Sequence, residues 1–172
     1  MSNNELIEQI IKEVLKSVES IQNDEQKYES GEIHGSEVVN KKDYPLGKKR
    51  PELIKTSTGK SIDDINLENV LNEKITLEDI KINSKTLLYQ AEIAESIGNV
   101  QLAANFRRAA ELTVVPDDRV LEIYDALKPY KSTKQQLIEI AEELEDKYNA
   151  KLNAKLVREA VESYEKRNMI KM

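Results

Sequence analysis

From Pro45 to Gly59 the sequence sets Pro45, Gly47, Pro51 and Gly59 so close together that no continuous helix can pass. Proline lacks the donor N–H that a helix interior requires, and glycine gives up more backbone freedom there than any other residue. Residues 42–60 therefore read as an irregular, extended piece of the kind that wraps over a partner surface, with Tyr44, Leu46, Leu53 and Ile54 as anchors. Elsewhere the apolar residues return at spacings of three and four, with no alternation of period two that would mark a strand. The expected fold is all-α, a small helical bundle with an irregular extended N-terminal portion and a tethered amphipathic N-terminal helix.

The bundle can be followed helix by helix. Ser61 with Asp64 three residues on predicts an N-terminal cap before the short stripe Ile65, Leu67, Val70 and Leu71. A longer helix is expected from Ser84 to Ile97, with Leu87, Leu88, Ala91, Ala94 and Ile97 on one face and Gly98 at its end. Asn99 is placed to cap the next, Val100 to Thr113, whose Leu102, Ala103, Phe106, Ala109 and Ala110 include small side chains that permit close helix contact. Pro116 turns Val115 away from helical space and suits the first position of a new segment carrying Leu121, Tyr124, Ala126 and Leu127 until Pro129. Ser132 and Gln135 predict a capping box for a helix striped by Leu137, Ile140, Ala141, Leu144 and Tyr148. A last helix carries Leu156, Val157, Ala160 and Tyr164.

Ahead of this domain, Ile7, Ile11, Val14, Val18 and Ile21 fall at helical spacing, so residues 1–21 read as an amphipathic helix. Ordering such a helix costs about 1–2 kcal/mol per residue, close to what its apolar stripe returns on burial, so it needs a surface to lie on. Residues 22–41, rich in Asn, Asp, Glu, Gly and Ser, read as a flexible polar linker that makes residues 1–21 an arm.

Composition narrows the function. Apolar residues make up 39% of the 172, charged residues 34% and aromatic residues 5%, which is poor supply for an independent core. The chain is either an elongated helical protein or a subunit that completes its burial against another chain. A net charge of −6 argues against nucleic-acid binding. Zero cysteine excludes disulfides and thiolate metal sites and fits a reducing compartment. No apolar run approaches the ~18 residues of a membrane span, and the N-terminus lacks the basic flank and apolar stretch of a secretory signal, so the cell interior is the expected location.

No motif nominates a catalytic, cofactor-binding or metal-ligating residue. Thr58-Gly59-Lys60-Ser61 imitates the end of a phosphate-binding loop, but Ile54 stands where that motif needs glycine. His34 has no cysteine or second histidine to join it around a metal. The pairs Asp63-Asp64 and Asp117-Asp118 stand at expected helix starts, where capping explains them. Lys48, Lys49 and Arg50 form a compact basic cluster that either meets an acidic partner or stays solvated. The acidic run Glu139 to Asp146 reads as the wet face of a helix, and Tyr124, Tyr130, Tyr148 and Tyr164 as core or interface side chains with a wet hydroxyl.

Several collinear stretches carry more specific information: Tyr44-Pro45-Leu46, Thr58-Gly59-Lys60, Leu67-Glu68-Asn69-Val70-Leu71, Ala109-Ala110-Glu111-Leu112, Val115-Pro116-Asp117-Asp118-Arg119 and Ile123-Tyr124. Through them, over about Asp43 to Arg167, the chain resembles the small subunit of adenosylcobalamin-dependent diol and glycerol dehydratases. The resemblance implies a heterohexamer with two copies each of large, medium and small subunits. The large subunit's barrel would hold substrate and a metal ion, and adenosylcobalamin would lie between the large and medium subunits. It further implies conversion of a 1,2-diol to an aldehyde with loss of water, with no catalytic or cofactor-binding residue on the small subunit, whose role is to cover and stabilise the large one. Glycerol-acting members tend to lack the N-terminal helix and linker, so their presence here favours 1,2-propanediol and a place in the bacterial cytoplasm inside a microcompartment. Residues 1–21 are then expected either to dock on a microcompartment shell protein or neighbouring enzyme, or to fold back on their own assembly. The competing reading is a non-enzymatic helical adaptor or coiled-coil protein.

Overall fold

The computed structural model of the chain describes residues 38–171. The amphipathic helix expected over residues 1–21, the linker as far as residue 37 and His34 lie outside the described residues. Within them the fold is all-α, with eight α-helical stretches and two 3-10 turns, and the one extended pairing is an isolated antiparallel bridge between Lys55 and Ser61.

The stretch read as extended is instead a train of single turns. Lys41–Asp43 forms a 3-10 turn in which the Asn40 side chain accepts from Lys42 N–H and Asp43 accepts in return from Asn40 N–H at 2.9 Å. Helix α1, Leu46–Lys49, follows Pro45, and a second 3-10 turn, Pro51–Leu53, begins on its proline. A fixed φ forbids continuation but suits a first turn, so each proline starts a turn where a straight run was expected. Leu46 is buried and Leu53 and Ile54 pack beside it, whereas Tyr44 is exposed. Val39 is also buried, its N–H held by the Glu92 carboxylate at 3.1 Å.

Two more single turns follow, α2 (Leu67–Leu71) and α3 (Leu77–Ile80). The Ser61–Asp64 pair forms, with Asp64 accepting from Ser61 N–H at 2.8 Å and from its hydroxyl at 2.7 Å, but it closes a turn and starts no helix. Asn66 is the true cap of α2, accepting from Asn69 N–H at 2.9 Å.

Helix α4 (Ser84–Ser96) is capped by Asn83, and α5 (Val100–Leu112) by Asn99 as expected. The two pack as a hairpin across alanines, with Ala91, Ala94 and Ala103 buried and Phe106 beside them. A second face of α4, Tyr89 and Ile93, buries against Val39 and Leu46. The stripe does not reveal that second face, and Ile97, expected on the stripe, stands at the C-cap just past α4 and is exposed. Gly98 turns the hairpin at φ +78°, a left-handed conformation that a side chain resists, although a Cβ there would meet nothing within 4 Å. Gly98→Ala should therefore lower stability by about 1 kcal/mol through backbone strain alone, measured as a small drop in melting temperature.

Helix α6 (Asp117–Ala126) begins one residue later than expected. Pro116 is its N-cap, and Asp117 and Asp118 fill the first turn, where carboxylates suit the exposed amides. Its buried residue is Ile123, while Leu121 and Tyr124 face solvent. Helix α7 (Lys134–Asp146) buries the expected Leu137, Ile140, Ala141 and Leu144. Its capping box is Thr133 with Gln136, because the hydroxyl of buried Ser132 already donates to the Ala126 carbonyl at 2.8 Å. Helix α8 (Lys151–Lys166) buries Ala154, Val157 and Val161, with Leu156 exposed. Helices α7 and α8 form the second hairpin, and α5 packs on α8. Together with Val115 and Ile123 they build the main core. The end of the chain closes it: Tyr164 donates to the Leu127 carbonyl at 2.5 Å, and Tyr130 N–H to the Met169 carbonyl at 2.8 Å.

Candidate functional site

Residues 55–82 contain no buried apolar residue, and the buried residue among them is the acid Asp79. Asp79 sits third in α3, inside a capping box with Thr76, and accepts from Thr76 N–H at 2.8 Å and from its hydroxyl at 2.9 Å. Lys60 Nζ reaches the same carboxylate at 2.7 Å and the Lys74 carbonyl at 2.7 Å, and the Thr58 hydroxyl donates to the other carboxylate oxygen. Ser57 adds a bond to the Glu78 carbonyl at 2.9 Å. The Thr58-Gly59-Lys60 stretch that imitates a phosphate loop is thus half of a polar staple, its lysine engaged within the chain.

With no exposed face on its carboxylate, Asp79 is held far below the ordinary value of 3.8, first by Lys60, then by Thr58 and Thr76. A carboxylate depressed on folding contributes stability that is present above its unfolded value and is lost as pH falls through the folded one. Thermal melts run from neutrality to below pH 3.8 should therefore show a steep acid loss that Asp79→Asn flattens while lowering stability at neutral pH.

What the staple holds is apolar and wet. Leu67, Leu71 and Leu77 are 73%, 74% and 79% exposed. Ile62, Ile65, Val70, Ile80 and Ile82 are exposed as well. Covering a leucine or isoleucine fully is worth about 1.5–3 kcal/mol, and folded monomers seldom leave large contiguous apolar patches in water. The two ends of the segment meet: Ile62, Ile65 and Ile82 line one open groove with Ile54 and Leu87, beside Lys60 and Asp79. Between Ser61 and Ile82 the exposed charges are Asp63, Asp64, Glu68, Glu73 and Glu78 against Lys74 and Lys81, the last 3.1 Å from Glu78. The arrangement is an exposed apolar loop with an acidic rim, held in shape by the Asp79 hydrogen bonds.

The other residues weighed on the sequence go elsewhere. Asp117 and Asp118 serve the helix start, and Arg119 bridges α6 to Glu143 of α7 at 2.5 Å. That guanidinium pushes the Glu143 carboxyl down, so the acidic run of α7 is more than a wet face. In the basic cluster, Lys49 donates to the Lys42 carbonyl at 2.6 Å, and Arg50 meets Glu52 at 2.5 Å. Among the described residues no three of His, Cys, Asp and Glu gather as a metal-holding group. No helix among them is long and apolar enough to cross a membrane.

A family model described as "Dehydratase small subunit" matches residues 39–171. The chain is 48% identical over 171 residues to a propanediol dehydratase small subunit of Citrobacter freundii, covering 98% of each chain. It is 47% identical over 169 residues to one of Salmonella typhimurium, again covering 98% of each.

Proposed function

The chain belongs to the dehydratase small-subunit family, and we propose that it is the small subunit of a propanediol dehydratase, assembled with large and medium subunits. The observation that carries this is identity near one half along virtually the whole length of both relatives. The wet apolar loop supports it, since a subunit leaves uncovered what its assembly covers.

The conversion assigned to the complex is that of 1,2-propanediol to an aldehyde with loss of water. Adenosylcobalamin, when bound, supplies the radical chemistry. The described residues of this chain do not fit that group. Two grooves are open: one of ≈ 390 Å³ lined largely by Ile54, Ile62, Ile65, Ile82 and Leu87 beside Lys60 and Asp79, and one of ≈ 520 Å³ lined by Leu121, Glu122, Asp125 and Lys131. Their volumes belong to the range for small drug-sized ligands, and a corrinoid is far larger. Following the family resemblance, the cofactor and the reacting groups are assigned to the large and medium subunits, and this chain's part is structural, within a heterohexamer holding two copies of each subunit.

Residues 1–21 are assigned to docking on a microcompartment shell protein through their Ile, Leu and Val stripe, which places the enzyme inside that compartment in the bacterial cytoplasm. Fused to a fluorescent protein in shell-forming cells, residues 1–21 should give punctate signal; diffuse signal counts against docking. The assembly itself is tested by purifying the tagged chain from its own cells. A large complex that forms aldehyde from 1,2-propanediol once adenosylcobalamin is added supports the reading. A small inactive species with no co-purifying chain favours the helical adaptor.

A further inference from the structure

We propose that residues 55–82 form a latch that opens and closes as one unit while the two helical hairpins stay folded, with Asp79 as its catch. Among the described residues, the hydrogen bonds made by side chains of this stretch all end inside it. Its two ends are tied to each other: Lys60 and Thr58 hold the Asp79 carboxylate, and the Ser57 hydroxyl donates to the Glu78 carbonyl at 2.9 Å. The helix packing lies elsewhere, α4 on α5, α7 on α8 and α5 on α8. Residues 55–82 meet the rest of the chain along the open groove, where the exposed Ile62, Ile65 and Ile82 stand beside Ile54 and Leu87.

Apolar burial is what makes a segment unfold only with its whole domain, and a stretch without it opens locally at a lower free energy. Here cohesion runs through one carboxylate. One Asp79 oxygen accepts from Lys60 Nζ at 2.7 Å, from Thr76 N–H at 2.8 Å and from the Thr76 hydroxyl at 2.9 Å, and the other accepts from the Thr58 hydroxyl. All of these partners donate, so an amide at this position would strand the donors on one side whichever way it turned. Glu73, just past α2, stands at φ +57°, a left-handed conformation whose strain opening relieves. With the catch closed, Leu67, Leu71 and Leu77 are presented in fixed positions on the loop. With it open they ride on a flexible chain.

Hydrogen exchange of the full chain, followed by mass in rising urea below the unfolding transition, tests the latch. Peptides across residues 55–82 should exchange together, about tenfold or more faster than those of α7 and α8 and with a weaker dependence on urea. Exchange in step with α7 and α8 overturns the proposal, because the stretch then opens only with the whole fold. Separate rates for residues 55–61 and 75–82 also overturn it, because the two ends then do not move as one unit. In Asp79→Asn the same peptides should quicken by a further factor of about ten or more, the loss that goes with hydrogen bonds to a charged group, while α7 and α8 stay protected. Unchanged exchange across residues 55–82 would show that Asp79 is not the catch, and protection lost equally from α7 and α8 that it serves the whole fold; either result overturns the proposal. The unsubstituted chain decides the matter even where the variant does not fold.

Discussion

Leu144→Ala is expected to cost the chain about 2–5 kcal/mol of stability. Leu144 is 1% exposed and lies in the main cluster with Leu137, Ile140 and Val157. The other members of that cluster near the α7–α8 turn are Ala141, Ala150 and Ala154, all fully buried. Alanines bring the two helices close but have no atoms to swing into a void, so the cavity should persist and add to the lost transfer energy. A domain of this size is typically stable by only about 5–15 kcal/mol. The substitution therefore removes a large share of the total. Urea unfolding followed by helical circular dichroism should show the midpoint falling with the slope unchanged. A loss under about 1 kcal/mol would mean that α7 and α8 collapse over the gap, and that the alanine contacts set spacing less firmly than their burial indicates.

Helix α7 was also the most legible part of the sequence. It has one buried face, so its stripe maps directly onto period 3.6, and Leu137, Ile140, Ala141 and Leu144 all bury. Helix α4 obeys the same period but is covered from two sides. A single-face reading found Ala91 and Ala94 and lost Tyr89 and Ile93, whose partners Val39 and Leu46 lie more than forty residues upstream. Asn99 caps α5 where the sequence places it, whereas two other caps are legible in type and misplaced in position. Two hydroxyls in a row, Ser132 and Thr133, each have a glutamine three residues on, and only the engagement of Ser132 with Ala126 decides between them. Ser61 with Asp64 shows the same limit, since the bonds that cap a helix also close an isolated turn.

The exposed apolar loop is half legible in the sequence. Ile65, Leu67, Val70 and Leu71 read as the stripe of a short helix, and the structure forms a single helical turn, Leu67–Leu71, but leaves these side chains in water. Burial could not be inferred because it depends on Asp79 and Lys60, nineteen residues apart, replacing an apolar core with a polar one. The shortage of apolar and aromatic residues fits either an elongated helical protein or a subunit that completes its burial against another chain; which apolar side chains stay exposed needs the fold.

Glu111→Ala should be the most damaging change outside the apolar core, at about 2–4 kcal/mol. Helix α8 begins after Ala150, which offers no side-chain acceptor, so its first amides depend on another element. Glu111, near the end of α5, supplies both carboxylate oxygens: one accepts from Leu152 N–H at 3.0 Å, the other from Asn153 N–H at 3.0 Å and from the Asn153 side-chain amide at 2.8 Å. Asn153 is buried and also donates to the Arg108 carbonyl at 2.9 Å, so α5 and α8 are joined by a closed polar group beside their contact. Truncation removes a cap worth about 1–2 kcal/mol and strands donors that cost about 1–3 kcal/mol when unpaired, two terms that overlap in the same amides. The negative charge at the positive end of α8 goes as well. Glu111→Gln, which keeps the shape and one acceptor oxygen, should fall between wild type and alanine. Hydrogen exchange separates this from general loosening: the amides of Leu152 and Asn153 should quicken first, while those of α4 keep their protection. Equal quickening in both hairpins would mean that Glu111 acts on the whole fold and that the α5–α8 contact, rather than the start of α8, is what it secures.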